Sequence, residues 1–196
     1  MAAGTRSRTT SAVYQLKVTL KGSKPPIWRR FQVAADTTLG DLHPILQRIM
    51  GWDDSHLHHF RLGLELFGVP DPDDTFGDDV EDERDALLRD VLPAEKAKLR
   101  YEYDFGDSWD HELILEKILP PEPAAELPRC LTGKRACPPE DCGGLWGYAE
   151  LLDALSDPRH PEHEEQLEWL GEGFDPEAFD LQAVNAALRA LALGQR

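Results

Sequence analysis

Along residues 14–20, apolar Tyr14, Leu16, Val18 and Leu20 alternate with Gln15, Lys17 and Thr19, the period-two pattern of a half-buried strand. Residues 22–26, GSKPP, carry turn chemistry and residues 27–33 resume as a second strand, which predicts a hairpin. Ile27, Phe31 and Val33 share a face with Arg29, while Trp28 takes the other. A guanidinium on an apolar face needs a carboxylate or carbonyl partner. The period then changes. Leu39, Leu42, Leu46, Ile49 and Met50 form one helical stripe, opened by Thr38 with Asp41 in the manner of a capping box and closed by Gly51.

Residues 56–62 and 64–67 predict short strands around Gly63. Residues 71–85 hold nine acids and one Arg, a loop too polar to bury. Residues 86–92 predict a short helix docked through Leu87, Leu88, Val91 and Leu92. Leu99, Tyr101, Tyr103 and Phe105 then alternate with Arg100, Glu102 and Asp104. Residues 106–108 turn and residues 109–118 return as the partner strand, so FGDSWDHE (105–112) lies at a hairpin tip. The last third is Pro-rich, then a Cys-containing loop, then helices over 148–155 and 162–170 and a last one capped by Asp180. The elements predict an α+β fold: a mixed sheet built from hairpins with a helix across one face, β-grasp-like, plus C-terminal helices. Residues 1–11 read as a disordered tail and 12–196 as one domain, divided into a β-rich core (12–119) and a helical part (120–196).

Composition narrows the partners. The formal net charge is −16, which opposes attraction to phosphate backbones. No apolar run approaches the roughly 20 residues that span a bilayer, and MAAGTRSRTTSA lacks a secretory core, so a cytoplasmic protein is expected. Three cysteines fit reduced thiols better than a disulfide framework.

Three constellations could carry chemistry. In the hairpin turn, Asp107 suits a turn acceptor of backbone N–H groups, and Asp104, Asp107 and His111 are placed to converge on a pocket. Trp109, His111, Leu113 and Leu115 share one parity, which equally makes His111 a residue of the core edge. Cys130, Cys137 and Cys142 lie within thirteen residues and could supply most of a zinc shell. Their gaps of six and four differ from the tight C-x-x-C knuckle, so buried structural thiols are the alternative. Among the histidines, His56 and His58 fall on one side of a strand, and Pro161 leaves His160 outside the helix that holds His163. The phosphate-cradling loop, the G-x-G-x-x-G turn, the G-x-S-x-G elbow and the H-E-x-x-H helix are all absent. That weighs against an enzyme.

Several blocks in order carry a resemblance: YQLKVTLKGSKPPIWRRFQV, TTLGDLHPILQRIMGWDDSHLHHFRLG, YEYDFGDSWDHELILEK, RACPPEDCGG with GYAELL, DPRHPEHEE and FDPEAFD. The chain resembles the plasmid pRiA4b Orf-three-like family over about residues 14–191. The resemblance implies a mobile-element-associated protein without an established biochemical role, and His59 stands where the family pattern has a carboxylate or Gln. The resolvase label some members carry finds no matching residues here, because Arg29 and Arg30 adjoin Trp28 rather than a Ser.

Three functions follow. The first is non-catalytic binding of a protein or peptide partner through Asp104, Asp107, Trp109 and His111. The second is a metal-dependent or zinc-stabilised domain using His111 with Cys130, Cys137 and Cys142, or with Asp104 and Asp107. The third is DNA association through Lys17, Lys21, Lys24, Arg29 and Arg30, which predicts salt-sensitive binding. The dense polar and aromatic turn without a nucleophile favours the first.

Overall fold

The computed structural model describes residues 11–70, 80–122, 126–171 and 173–194. Strands β1 (Val13–Leu20) and β2 (Trp28–Ala34) form the first hairpin, followed by α1 (Leu39–Met50). Strands β3 (His58–Leu62), β4 (Glu65–Gly68) and β5 (Val80–Asp82) come next, then the single-turn α2 (Leu88–Val91). The second hairpin is β6 (Lys98–Tyr103) with β7 (Trp109–Leu119); β8 (Arg129–Lys134), α3 (Gly144–Ser156), α4 (His163–Leu170) and α5 (Leu181–Gly194) complete the chain. The strands join in one eight-stranded sheet of order β5-β4-β3-β6-β7-β1-β2-β8. Pairing is antiparallel throughout except between β4 and β5, so the sheet is mixed and the fold is α+β.

Local signals act as the alternation predicts. Tyr14, Leu16, Val18 and Leu20 of β1 and Leu99, Tyr101 and Tyr103 of β6 are all buried. In α1, Thr38 accepts the Asp41 N–H and Gly51 ends the helix in the left-handed region at φ 97°. Leu39, Leu42, Leu46 and Ile49 are fully enclosed, each stabilising the fold by roughly 1.5–3 kcal/mol. Asp180 Oδ1 accepts the N–H groups of Gln182 and Ala183 at the start of α5, which packs on α1 and β8.

Two expectations are corrected. Residues 129–134 form an edge strand on β2, not a loop; Cys130 N–H donates to Asn185 Oδ1 and Asn185 Nδ2 donates back to Cys130 O, so α5 caps part of this edge. The acidic insert is not a loop throughout. Val80–Asp82 pairs in parallel with β4, and Glu83 is buried beside His58 Nε2 at 2.9 Å. The partner His resolves what composition disfavoured. Residues 71–79 and the tail 1–10 lie outside the described residues. Among the described residues no helix is long and apolar enough to cross a membrane.

Candidate functional site

The tip of the β6–β7 hairpin is built by Asp104. It adopts φ 57°, a region Asp tolerates better than most residues. Its Oδ1 accepts the N–H groups of Gly106 (2.9 Å) and Asp107 (3.3 Å). The turn acceptor is therefore Asp104 rather than Asp107. Asp107 instead reaches across, its Oδ2 accepting the Gly143 N–H at 3.1 Å. That contact docks the PPEDCGG segment (138–144) onto the turn.

The third wall is GWDDSH (51–56). Trp52 stacks on Tyr103 and Trp109, with ring centroids 5.0 and 6.0 Å apart, and meets His111 edge-on at 5.3 Å. Its indole N–H donates to Pro138 O at 3.0 Å. Glu140 then ties the three segments together, accepting from Asp53 N–H (2.8 Å) and from the Tyr103 hydroxyl (3.0 Å). The Ser55 N–H donates to the same hydroxyl. Burial, with the carboxylate of Glu140 beside it, pushes the Tyr103 phenol well above its ordinary range, so it stays protonated and donating.

His56 lies where the walls meet. Its Nε2 is 3.1 Å from Asp141 Oδ1, 3.4 Å from Glu140 Oε2 and 3.7 Å from Asp104 Oδ2. These are ion-pair distances, yet none has hydrogen-bond geometry, and Nε2 is sealed from water without a partner. Donor atoms of His56, Asp104 and Asp141 all lie within 4.8 Å of one another.

The residues singled out in the sequence separate. Asp104 belongs to this cluster and Asp107 docks its neighbouring loop. Trp109 and His111 are 1% and 0% exposed, packed under the site, so neither can touch a partner directly. The apolar parity of β7 already pointed this way; the covering Trp52 completes the burial. Burial lowers the His111 pKa to about 4, and its Nδ1 faces Tyr101 O at 3.3 Å. The thiols do not join His111: among the described residues no group of three metal donors includes a cysteine. Burial pushes Cys130 up to about 11 and Cys137 and Cys142 up to about 12. Three basic residues of the first hairpin are each engaged or enclosed within the fold. Arg30 pairs with Glu116 at 2.6 Å and Lys21 with Asp110 at 3.3 Å, while Arg29 is buried.

His56 carried a weak signal, shared with His58; but His58 turns away to Glu83 and stacks on His43, with ring centroids 3.4 Å apart. Glu140 and Asp141 carried no signal of their own beyond lying between Pro139 and Cys142.

Residues 12–183 match the family described as plasmid pRiA4b ORF-3-like protein. The chain belongs to that family. It is 40% identical over 184 residues to an uncharacterised Sinorhizobium fredii protein, y4hQ, with 93% of each chain covered. The crystal structure of MM3350, a protein of unknown function from Methanosarcina mazei Go1, resembles it with a TM-score of 0.80 at 43% identity, covering 89% of this chain and 98% of that one. The sequence blocks that carried the family resemblance include all three walls of the His56 cluster, so the pRiA4b ORF-3-like signature and the cluster are built from the same segments.

One residue of this signature tests the docking. Gly144 sits at φ +66°, and a Cβ there would fall 2.5 Å from Asp107 O. Gly144→Ala is expected to cost about 1–3 kcal/mol, read as a lower urea midpoint. An unchanged midpoint would show that the PPEDCGG segment does not press on the turn.

Proposed function

We propose that this protein binds a divalent cation at His56, Asp104 and Asp141, with Glu140 beside them. The observation that carries the proposal is His56 Nε2, which is closed off from water, makes no hydrogen bond and faces three carboxylate oxygens. A nitrogen lone pair and carboxylates aimed at one point are satisfied together by a cation. Donors bound to one ion at roughly 2.1 Å lie about 3–4 Å apart, close to the spacings around Nε2. The mixed nitrogen and oxygen set suits Mn²⁺, Fe²⁺ or Zn²⁺, whereas the raised thiol pKa values disfavour a cysteine-based zinc site, because each thiol must first lose its proton. The order of the loops also supports the site. Tyr103 and Asp53 hold Glu140, and Asp104 is fixed by its own turn, so two of the four groups are oriented before an ion arrives.

The test is titration of the whole, tag-free chain with Mn²⁺, followed by the loss of the free-ion paramagnetic resonance signal, with Zn²⁺ as competitor. One ion per chain is expected, with His56→Ala and Asp104→Asn each weakening binding by at least about 10-fold. No uptake at ~1 mM Mn²⁺ or Zn²⁺, well into the range where a specific site would fill, overturns the proposal. So does uptake that both variants retain.

A further inference from the structure

A separate cleft opens between the end of α1, the Cys137–Pro139 segment and the start of α5. Its volume is about 520 Å³, within the range of small-molecule sites. Met50, Trp52, Pro138, Leu170, Phe174 and Phe179 give it largely apolar walls. One cation sits in that wall. Arg29 comes from the core face of β2 and is only 2% exposed. Its Nε donates to Ile49 O at 2.8 Å, and its Nη1 donates to Trp28 O and Lys134 O at 3.0 and 2.8 Å. The guanidinium stacks on Phe179, 4.6 Å from the ring centre. Room for this stack comes from Gly133, where a Cβ would fall 2.7 Å from Arg29 Cδ and 2.8 Å from the Phe179 ring.

These contacts hold Arg29 in place through backbone carbonyls and a ring face, none of which carries a negative charge. Among the described residues no carboxylate lies within ion-pair distance of it. Among the described residues its Nη2 has no hydrogen-bond partner, and Arg29 is part of the cleft lining. The two acids on the cleft wall are committed elsewhere. Asp180 Oδ1 caps α5, and Glu140 accepts from Asp53 and Tyr103. The thiols beside the guanidinium, Cys130 and Cys137, are held protonated by burial and supply no negative charge. A buried cation without an anion is costly, and a fixed guanidinium with a free edge is the group that recognises carboxylates.

We propose that this cleft binds a ligand with a carboxylate on an apolar body, the carboxylate pairing with Arg29 and the body lying against Trp52, Phe174 and Phe179. The site is distinct from the His56 cluster and stands without it, although Glu140 borders both. A carboxylate of this kind is carried by a free small acid or by the C-terminus of a peptide that ends in an aromatic residue.

Calorimetric titration of the full chain, without added divalent cations, tests this directly. The probes are 3-phenylpropionate, an acetylated tripeptide ending in Phe, and the amide of each. Binding of either carboxylate, with its amide at least ~10-fold weaker, supports the site, and whichever acid binds better identifies the source. Ala183→Trp, which narrows the cleft at its rim without touching Arg29, is expected to abolish that binding while the chain remains folded and keeps its Mn²⁺ behaviour. Absence of binding by both acids, equal binding of acid and amide, or undiminished binding by Ala183→Trp overturns the proposal.

Discussion

Replacing Trp109 by Ala is expected to destabilise the protein by about 3–5 kcal/mol. Trp109 is 1% exposed and stacks against Trp52, which in turn stacks on Tyr103. Its loss opens a cavity at the foot of the hairpin and removes the surface on which GWDDSH rests. The effect should appear as a melting temperature lower by roughly 10 °C, since each kcal/mol is worth about 2–4 °C in a chain of this size. His56 rides on that segment, so cation uptake should weaken together with stability. Asp107→Asn, which keeps an oxygen able to accept the Gly143 N–H, should change stability by less than about 1 kcal/mol. A Trp109→Ala protein that melts within about 2 °C of the parent would refute the stacked-aromatic foundation, given the same scaling.

Acid should weaken the fold above pH 4, before the carboxylates dominate. His111 is fully enclosed, and burial lowers its pKa from 6.5 to about 4. Between those values the unfolded chain takes up a proton at this imidazole that the folded chain refuses. Stability from His111 is therefore fully present above pH 6.5 and falls as the pH drops toward 4. The full loss amounts to about 3 kcal/mol. His43, whose pKa burial also lowers, shifts in the same direction. Denaturant titrations across this window should show a slope that His111→Gln reduces; an unchanged slope in that variant would assign the acid sensitivity to other groups.

Much of the fold is legible along the chain because it follows from local periodicity. The β1–β2 and β6–β7 hairpins and the capped stripe of α1 need only neighbouring residues to declare themselves, and Asp180 marks the start of α5 in the same way. The edge strand β8 was not legible. Its sequence, RCLTGK, has no clean alternation, and its place on β2 is held partly by Asn185, 55 positions from Cys130. The β5 pairing fails for a related reason: an acidic run looks solvated until His58 is found beside Glu83.

Sequence alone determined the α+β class, the membership of the pRiA4b ORF-3-like family and the concentration of polar chemistry at one hairpin turn. It also required a carbonyl or carboxylate partner for Arg29, and the partners are three backbone carbonyls. Only the tertiary structure decided which side chains face outward at that turn. Trp109 and His111 share the inward parity of β7 and are sealed by Trp52, a residue from the loop after α1. His56, Asp104 and Asp141 meet because two separated loops pack on the hairpin turn through that same Trp and through Glu140. The physical reason is one of range. Strand and helix periods are set by neighbours a few positions apart, whereas the donor cluster and the setting of the Arg29 guanidinium arise from contacts between segments dozens of residues apart, which no local spacing records.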